Sequence, residues 1–397
     1  MIKLTGTWKK GTTIDKYCSH SSSKDAPYAY IKGNAQGVNF FISKPGMHAF
    51  HYSILPSGEI LFDEYKWEIR KKLKGMGITA KVEDVEDGYL YSFDGVNLKK
   101  VEVDQKVKIN IRHDITMEQA KKELFALLKE VTKEICDSLE SKKVLATLTA
   151  GTDSTLMVLL LRECGINVHA VCVGRTPNDF DPLWAKKHAA QLKVPYTFIP
   201  LPTSDAHLNK LAYDTIAIIE FCEMSNTLMG MCTKHLLNYS EINFPDRKVI
   251  FKGHYADELF ANLMTTSARY LRFCNDKPTN ETWSEYRVDS VLHQYPNDVQ
   301  VSKIIRKTNF DWRSVFTHKK VIEFIFSMPI HICPYGKDKK QLLWAILDDH
   351  IKDGVWRQKR KVGYYTGTGI GKIRLENPVL QDDNFRRLYQ IAQSQSK

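Results

Sequence analysis

Val144-Leu-Ala-Thr-Leu-Thr-Ala-Gly-Thr-Asp-Ser-Thr155 runs from a short apolar segment through a turn of small residues into an apolar helix that extends from Ser154 to about Glu163. Five residues led by Val144 and closed by a Gly-containing turn fit a strand buried on both faces. Outward from it, Val168-His-Ala-Val-Cys-Val173 reads as a second such strand, Pro182 to Leu192 as a helix, and Tyr196 to Pro200 as a third strand. Strand and helix alternating at this spacing predict βαβ units, a parallel sheet and an α/β fold class. Parallel sheets of this kind bind ligands at the carboxyl ends of their strands, where the 148–155 turn stands.

Backbone NH groups in such a turn, together with the helix N-terminus, form a cradle for phosphate, and the hydroxyls of Thr149, Ser154 and Thr155 add donors. A plain helix cap by Asp153 and Ser154 reads the same residues without a ligand. No Gly-Lys-Ser follows, so the loop is not the P-loop of kinases.

Up to about residue 113 the pattern differs. Short β-rich runs alternate with turns: Tyr28–Ile31, then Gly33-Asn34; Val38–Ile42, then Pro45-Gly46; Ala49–Leu55, then Pro56-Ser-Gly58; and Tyr89–Phe93 between Asp87-Gly88 and Asp94-Gly95. These predict a small antiparallel domain over 1–113, with a helix around Tyr65 to Lys74 and Cys18 in a polar loop. From Thr116, which forms a capping box with Gln119, a helix with Leu124, Leu127, Leu128, Val131 and Ile135 on one face leads into a second domain over 114–397.

Composition bounds the reading. The 397 residues suit two domains, and 43% hydrophobic with 26% charged residues is ordinary for a globular protein. No run approaches a membrane span and no apolar signal core follows Met1–Lys10, which points to a soluble, cytoplasmic protein without a membrane partner. The eight cysteines show no C-x-x-C pair and no metal-ligand spacing, so reduced thiols are expected. The net charge of +11 fits nucleic acid or polyphosphate. Basic residues crowd Lys352, Arg357, Lys359, Arg360, Lys361, Lys372 and Arg374 instead of alternating with aromatics along a helix, which favours phosphate handling over a nucleic-acid partner.

A second strand-turn stretch, Val249-Ile-Phe-Lys-Gly-His-Tyr-Ala-Asp-Glu-Leu-Phe260, completes a pair. With Thr149-Ala-Gly-Thr-Asp-Ser154 it resembles the PP-loop Ser-Gly-Gly-x-Asp-Ser and the Gly-Glu-Gly-Ala-Asp-Glu-Leu-Phe motif of asparagine synthetases. Phe310-Asp-Trp-Arg-Ser-Val-Phe316 looks like that family's Glu-x-Arg-x-Pro-Phe stretch, and Lys340-Gln-Leu-Leu343 like its Lys-x-x-Leu-Arg helix. Lys359-Arg-Lys-Val-Gly-Tyr-Tyr-Thr-Gly-Thr-Gly369 is similar to the Arg-Pro-Lys-x-Gly and Gly-Ser-Gly segments of β-lactam synthetases. The resemblance covers roughly Thr116 to Gly371.

It implies an ATP-pyrophosphatase-type ligase that adenylates a small-molecule or peptide carboxylate, releases pyrophosphate and passes the acyl group to an amine, lactam closure included. ATP and Mg²⁺ are the implied cofactors. Asp153 and Asp257 would hold the metal. Leu148, Val173, Gly253 and the backbone of Lys252 would line the adenosine site, Thr149, Gly151, Asp153 and Ser154 the pyrophosphate site, with Lys340 near the phosphates. Lys361 matches a lysine that meets the α-phosphate region. His254, near neutral in pKa, would deprotonate the attacking amine, with Asp311 orienting its ring; a structural histidine is the plainer reading of the same residue. The loop departs from the family at Ala150, where a left-handed backbone would suit glycine. In the first domain the family's N-terminal cysteine nucleophile has no match, since Ile2 follows Met1, so the resemblance is to an inactive glutaminase-like domain and glutamine is not expected as donor. The segment Leu263 to Pro296, with Arg269, Arg272, Trp283, Tyr286 and Arg287, has no matching motif and is read as a cover for the acceptor site. A PP-loop enzyme modifying tRNA and a non-catalytic binding protein on the same scaffold remain the rival readings.

Overall fold

The computed structural model describes residues 3–19, 26–44, 48–103, 109–260, 268–292, 295–335, 339–358 and 364–396. Its first part is β-rich. Strands β1 (Gly6–Trp8), β2 (Ile14–Ser19), β3 (Tyr28–Gly33), β4 (Val38–Ile42), β5 (His51–Ile54), β6 (Ile60–Asp63), β7 (Glu83–Asp84), β8 (Tyr89–Phe93) and β9 (Leu98–Glu102) accompany one helix, α1 (Lys66–Gly75). They form two sheets, ordered β1-β6-β5-β7 and β2-β3-β4-β8-β9, with every pairing antiparallel. Alternation turns Ala29 and Ile31 of β3 and Val38, Phe40 and Ile42 of β4 inward, where they are buried. Phe40 stacks on Tyr91 at 4.9 Å and meets Phe62 edge-on at 5.0 Å, so aromatic rings fill the space between the sheets.

Cys18 is not in a loop. It faces inward on β2, opposite Ala29 of β3, and is 7% exposed. The run Asp15-Lys16-Tyr17 hides this strand in the sequence, because only its first residue and Cys18 are buried.

The capping box opens α2 (Met117–Asp137): the Gln119 amide donates to Thr116 Oγ1 at 3.3 Å and the Thr116 amide to Gln119 Oε1 at 3.0 Å. Five strands follow, β10 (Lys143–Thr147), β11 (Asn167–Gly174), β12 (Tyr196–Pro200), β13 (Val249–Phe251) and β14 (Asp311–Arg313). Their order is β12-β11-β10-β13-β14 and all pairings are parallel. Val144, Leu145 and Ala146 are completely buried, as a central strand covered on both faces requires. The covering helices are α3 (Thr152–Glu163), α4 (Phe180–Leu192), α5 (Asp205–Ile219), α6 (Met224–Asn243) and the short α7 (Ala256–Leu259). A helical region completes the chain: α8 (Ala268–Asn275), α9 (Asn280–Leu292), α10 (Tyr295–Arg306), α11 (Lys319–Phe326), α12 (Gln341–Asp348), α13 (Tyr364–Gly367), α14 (Ile370–Glu376) and α15 (Asp382–Ser396). Among the described residues no helix is long and apolar enough to cross a membrane.

The strand order sets the functional geography. From β10 the chain moves outward through β11 and β12, then returns to the other side of β10 for β13 and β14. The sheet therefore has its switch point between β10 and β13, and the loops leaving these two strands diverge to leave a crevice.

Buried charge joins the β-rich part to the helices. Arg306 at the end of α10 pairs with Glu64, and Lys303 meets Glu220 at 2.5 Å. Tyr65 donates its hydroxyl proton to the Lys303 carbonyl at 2.8 Å, and the Trp67 amide donates to Glu220 at 2.6 Å. Replacing one member of a buried pair leaves the other without a counter-charge. Arg306→Met should therefore cost about 3–5 kcal/mol in chemical denaturation, and Glu64→Gln combined with Arg306→Met should recover much of that loss. Equal losses in the single and double variants would show that the pair is not coupled.

Candidate functional site

Both motif stretches leave strands that flank the switch point. After β10, the Leu148 amide still donates to Val171 of β11 at 2.9 Å, and α3 starts at Thr152. In between, the turn is held by its own short side chains. The Thr149 amide donates to Ser154 Oγ at 3.0 Å, the Ala150 amide to Asp181 Oδ1 at 3.1 Å, and the Gly151 amide to Thr149 Oγ1 at 3.1 Å. Thr155 Oγ1 donates back to the Gly151 carbonyl at 2.8 Å. Ala150 is absent from the residues with positive φ, and Gly151 has an extended φ of −71°. The alanine therefore creates no backbone strain, contrary to the concern its replacement of a glycine raised.

After β13, the Lys252 amide donates to Arg313 of β14 at 3.0 Å. Gly253 then lies against the start of α3. A methyl group there would sit 2.7 Å from the Asp153 carbonyl carbon and 2.8 Å from the Ser154 nitrogen, so only glycine lets the two loops touch. Tyr255 adopts φ 73°, ψ −14°, a left-handed conformation, at the position of the second glycine in the motif it resembles. For a bulky residue this costs about 1–3 kcal/mol, a form of strain concentrated at functional sites. It turns the chain sharply enough for α7 to begin at Ala256 and to place Asp257 in its first turn.

The two aspartates converge. Lys340, the residue before α12, lies 2.6 Å from both oxygens of Asp153 and 2.6 Å from Asp257 Oδ1. Burial alone would lower the lysine pKa, but the two carboxylates outweigh it and hold the ammonium above its ordinary value. Two carboxylates facing one ammonium leave one negative charge in excess. A further cation bound there would meet oxygen ligands of the kind Mg²⁺ takes, with the rest of its shell drawn from phosphate and water. Among the described residues no group of three or more His, Cys, Asp or Glu is arranged to hold a metal, so the protein's share would be these two carboxylates.

A cavity of about 270 Å³ opens beside the triplet. Ten of the sequence-selected residues line it: Leu148, Thr149, Gly151, Asp153, Ser154, Val173, Lys252, Gly253, His254 and Asp257. Lys340 contacts two of these lining residues, Asp153 and Asp257. Sequence reasoning missed the opposite wall, Met229, Thr233 and Leu236 of α6 with Val301 of α10, as well as Tyr255. The helical residues carry no motif. Glu258 repeats the acidic pair of the motif but reads equally as a helix-start residue, and it too lines the cavity.

Two expectations about His254 need correcting. Its pKa is not near neutral but held well below the ordinary value, first by removal from bulk water and then by the Lys252 ammonium, with Asp257 opposing. Asp311 does not orient its ring. Neighbouring residues of a strand point to opposite faces, and it is Trp312 that meets the imidazole, edge-on at 5.6 Å. Asp311 instead pairs with Arg313, two residues on, at 2.5 Å and accepts the Trp312 amide at 2.8 Å. Lys361 lies outside the described residues.

In the segment 263–296, read as a cover for the acceptor site, Trp283, Tyr286 and Arg287 serve local packing. Trp283 donates to the Cys333 carbonyl at 2.6 Å, and Arg287, completely buried, donates to the Ile325 and Met328 carbonyls at 2.9 Å each. Arg287 thus closes the C-terminal end of α11, while Trp283 fills a local core with Tyr286. The side chain of Arg269 lies outside the described set.

Comparison with known proteins gives a family over the same strands. Residues 127–297 match the asparagine synthase family model. No curated protein matches the chain. Among solved structures, the NH3-dependent NAD synthetase from Campylobacter jejuni is 12% identical, with 49% of this chain and 94% of that chain covered and a TM-score of 0.28. The NMN synthetase from Francisella tularensis is also 12% identical, with 63% and 98% covered and a TM-score of 0.27. At these scores neither likeness bears on fold or chemistry. The motif loops that follow β10 and β13 both lie within the residues that match the asparagine synthase family model, so the similarity to that family and the crevice at the switch point fall on the same part of the chain.

Proposed function

We propose that the protein is an ATP-dependent carbon–nitrogen ligase, with residues 114–397 as its synthetase domain and residues 1–113 as a glutaminase-like domain without glutaminase activity. The carboxylate of a small molecule or peptide attacks the α-phosphorus of ATP, the bond to the β-phosphate breaks, and pyrophosphate leaves. The amine then attacks the acyl carbon, the bond to AMP breaks, and the nitrogen gives up its protons. The convergence of Asp153 and Asp257 on one cation position beside the cleft carries this reading. A carboxylate and an amine in one molecule would give a lactam by the same steps.

Each residue is given a role by its chemistry. Leu148, Val173, Lys252 and Gly253 take the adenosine, while Thr149, Gly151, Asp153 and Ser154 take the pyrophosphate. Asp153 and Asp257 would hold Mg²⁺, which neutralises phosphate charge when bound. His254, neutral at physiological pH because its pKa is depressed, is able to accept a proton, and a neighbouring polyanion would strengthen it as a base. Lys361 is assigned to the α-phosphate region on its motif alone. A free amine, not glutamine, is the donor. Cys18, the sole cysteine of residues 1–113, is buried with its thiol pushed up by that burial against the opposing Arg306 guanidinium, which disfavours the thiolate.

Three outcomes follow. Chromatography of reactions with a competent carboxylate and amine should show AMP and pyrophosphate, and added glutamine should yield no glutamate; ADP as the nucleotide product would overturn the adenylation step. Gly253→Ala should part the two loops and depress pyrophosphate–ATP exchange by about 10² while circular dichroism stays native, a displacement of about 1 Å being enough for such a loss. His254→Ala should keep exchange within about tenfold but lower amide formation by about 10² or more, the usual size of a lost general base. Intact amide formation in a folded His254→Ala protein would make the residue structural.

A further inference from the structure

The glycine stretch at the end of the resemblance is seated on the loop that follows β11. The Arg175 amide donates to the Thr368 carbonyl at 2.8 Å. A methyl group at Gly369 would lie 2.7 Å from Asp179 Oδ2, and one at Gly367 would overlap the Asp181 carboxylate. Asp179 has an ordinary local role: its Oδ2 accepts the Thr176 amide at 2.8 Å and the Thr176 hydroxyl at 3.1 Å.

Asp181 is different. It stands in the first turn of α4, where an acidic residue usually serves the helix N-terminus, yet its Oδ1 accepts from outside that helix, from the Ala150 amide of the phosphate loop at 3.1 Å. The side chain is 3% exposed, and its second oxygen, on the side of Gly367, has no hydrogen-bond partner among the described residues. Such a group is costly to bury, and burial pushes its carboxyl up to about 7. Ala150 itself does not line the cleft, whereas Thr149 and Gly151 on either side of it do. Tying the middle residue backward is what turns its neighbours forward.

We propose that Asp181 is a positioning residue of the phosphate loop: it holds the Ala150 amide and, through its close seat on Gly367, ties the set of that loop to the docking of the C-terminal glycine stretch. This rests on the reading of the cleft as an ATP site. Its consequence is selective, because the Asp181 bond reaches only the part of the loop assigned to pyrophosphate and not the walls assigned to adenosine.

Calorimetry on the full chain, with Mg²⁺ present and with pyrophosphate and AMP as separate probes, tests it. Asp181→Ala should weaken pyrophosphate about tenfold, the size of one hydrogen bond to a charged group, and leave AMP within about twofold. Gly367→Ala, which displaces the carboxylate without removing it, should act in the same direction, and Asp181→Asn, which keeps an acceptor oxygen, should stay near wild type. Unchanged pyrophosphate binding in folded Asp181→Ala or Gly367→Ala protein, or equal weakening of both probes, would overturn the positioning role alone. If Asp181→Ala does not fold, Gly367→Ala decides by the same criterion. A wild-type protein that binds neither probe would remove the nucleotide reading and this proposal with it.

Discussion

Asp153 and Asp257 converge beyond the ends of adjacent parallel strands, and the Lys340 ammonium bridges them. The two carboxylates in turn hold the buried ammonium charged, against the cost of its burial. The lysine also ties three parts of the chain into one structure: the start of α3, the start of α7 and the entry to α12.

This arrangement is expensive locally and is supported from behind. Tyr255 is held in a conformation that tyrosine disfavours, and Gly253 presses its backbone onto α3. Both persist because the strands beneath them are fixed: β10 is buried on both faces and β13 is paired on both edges. A strained turn survives where the surrounding core over-determines it. The same rigidity explains why the cleft combines an apolar wall from α6 with a polar loop wall, since helix and loop are packed on the same sheet.

The β-rich part has its own dependence on charge. The buried pair Glu64–Arg306 connects it to α10, and the pair Lys303–Glu220 ties α10 to the end of α5, where Tyr65 and Trp67 bond to both partners. Val301 on that same α10 lines the cleft. One helix therefore carries the seam between the β-rich part and the helices on one stretch, and a wall of the candidate site on another.

The sequence by itself determined what depends on near neighbours. β12 falls on the expected residues and β11 differs by one at each end; the capping box of α2 forms as read; and the motif loops stand at strand ends. Hydrophobic runs, turn residues and caps act over a few residues, so they are legible without a fold. Tertiary structure alone decided the rest. Lys340 is 187 residues from Asp153 and 83 from Asp257, and no local pattern shows that it lies between them. Asp311 matched a motif, but the alternation of β14 turned Trp312 toward His254 and left Asp311 to Arg313. Trp283 and Arg287 carry no motif, and only the fold shows that one bonds to the Cys333 carbonyl and the other closes the end of α11. The wall on α6 and the pKa of His254 depend on what the sheet brings alongside them, because desolvation and through-space charge are set by neighbours in space and not by neighbours in sequence.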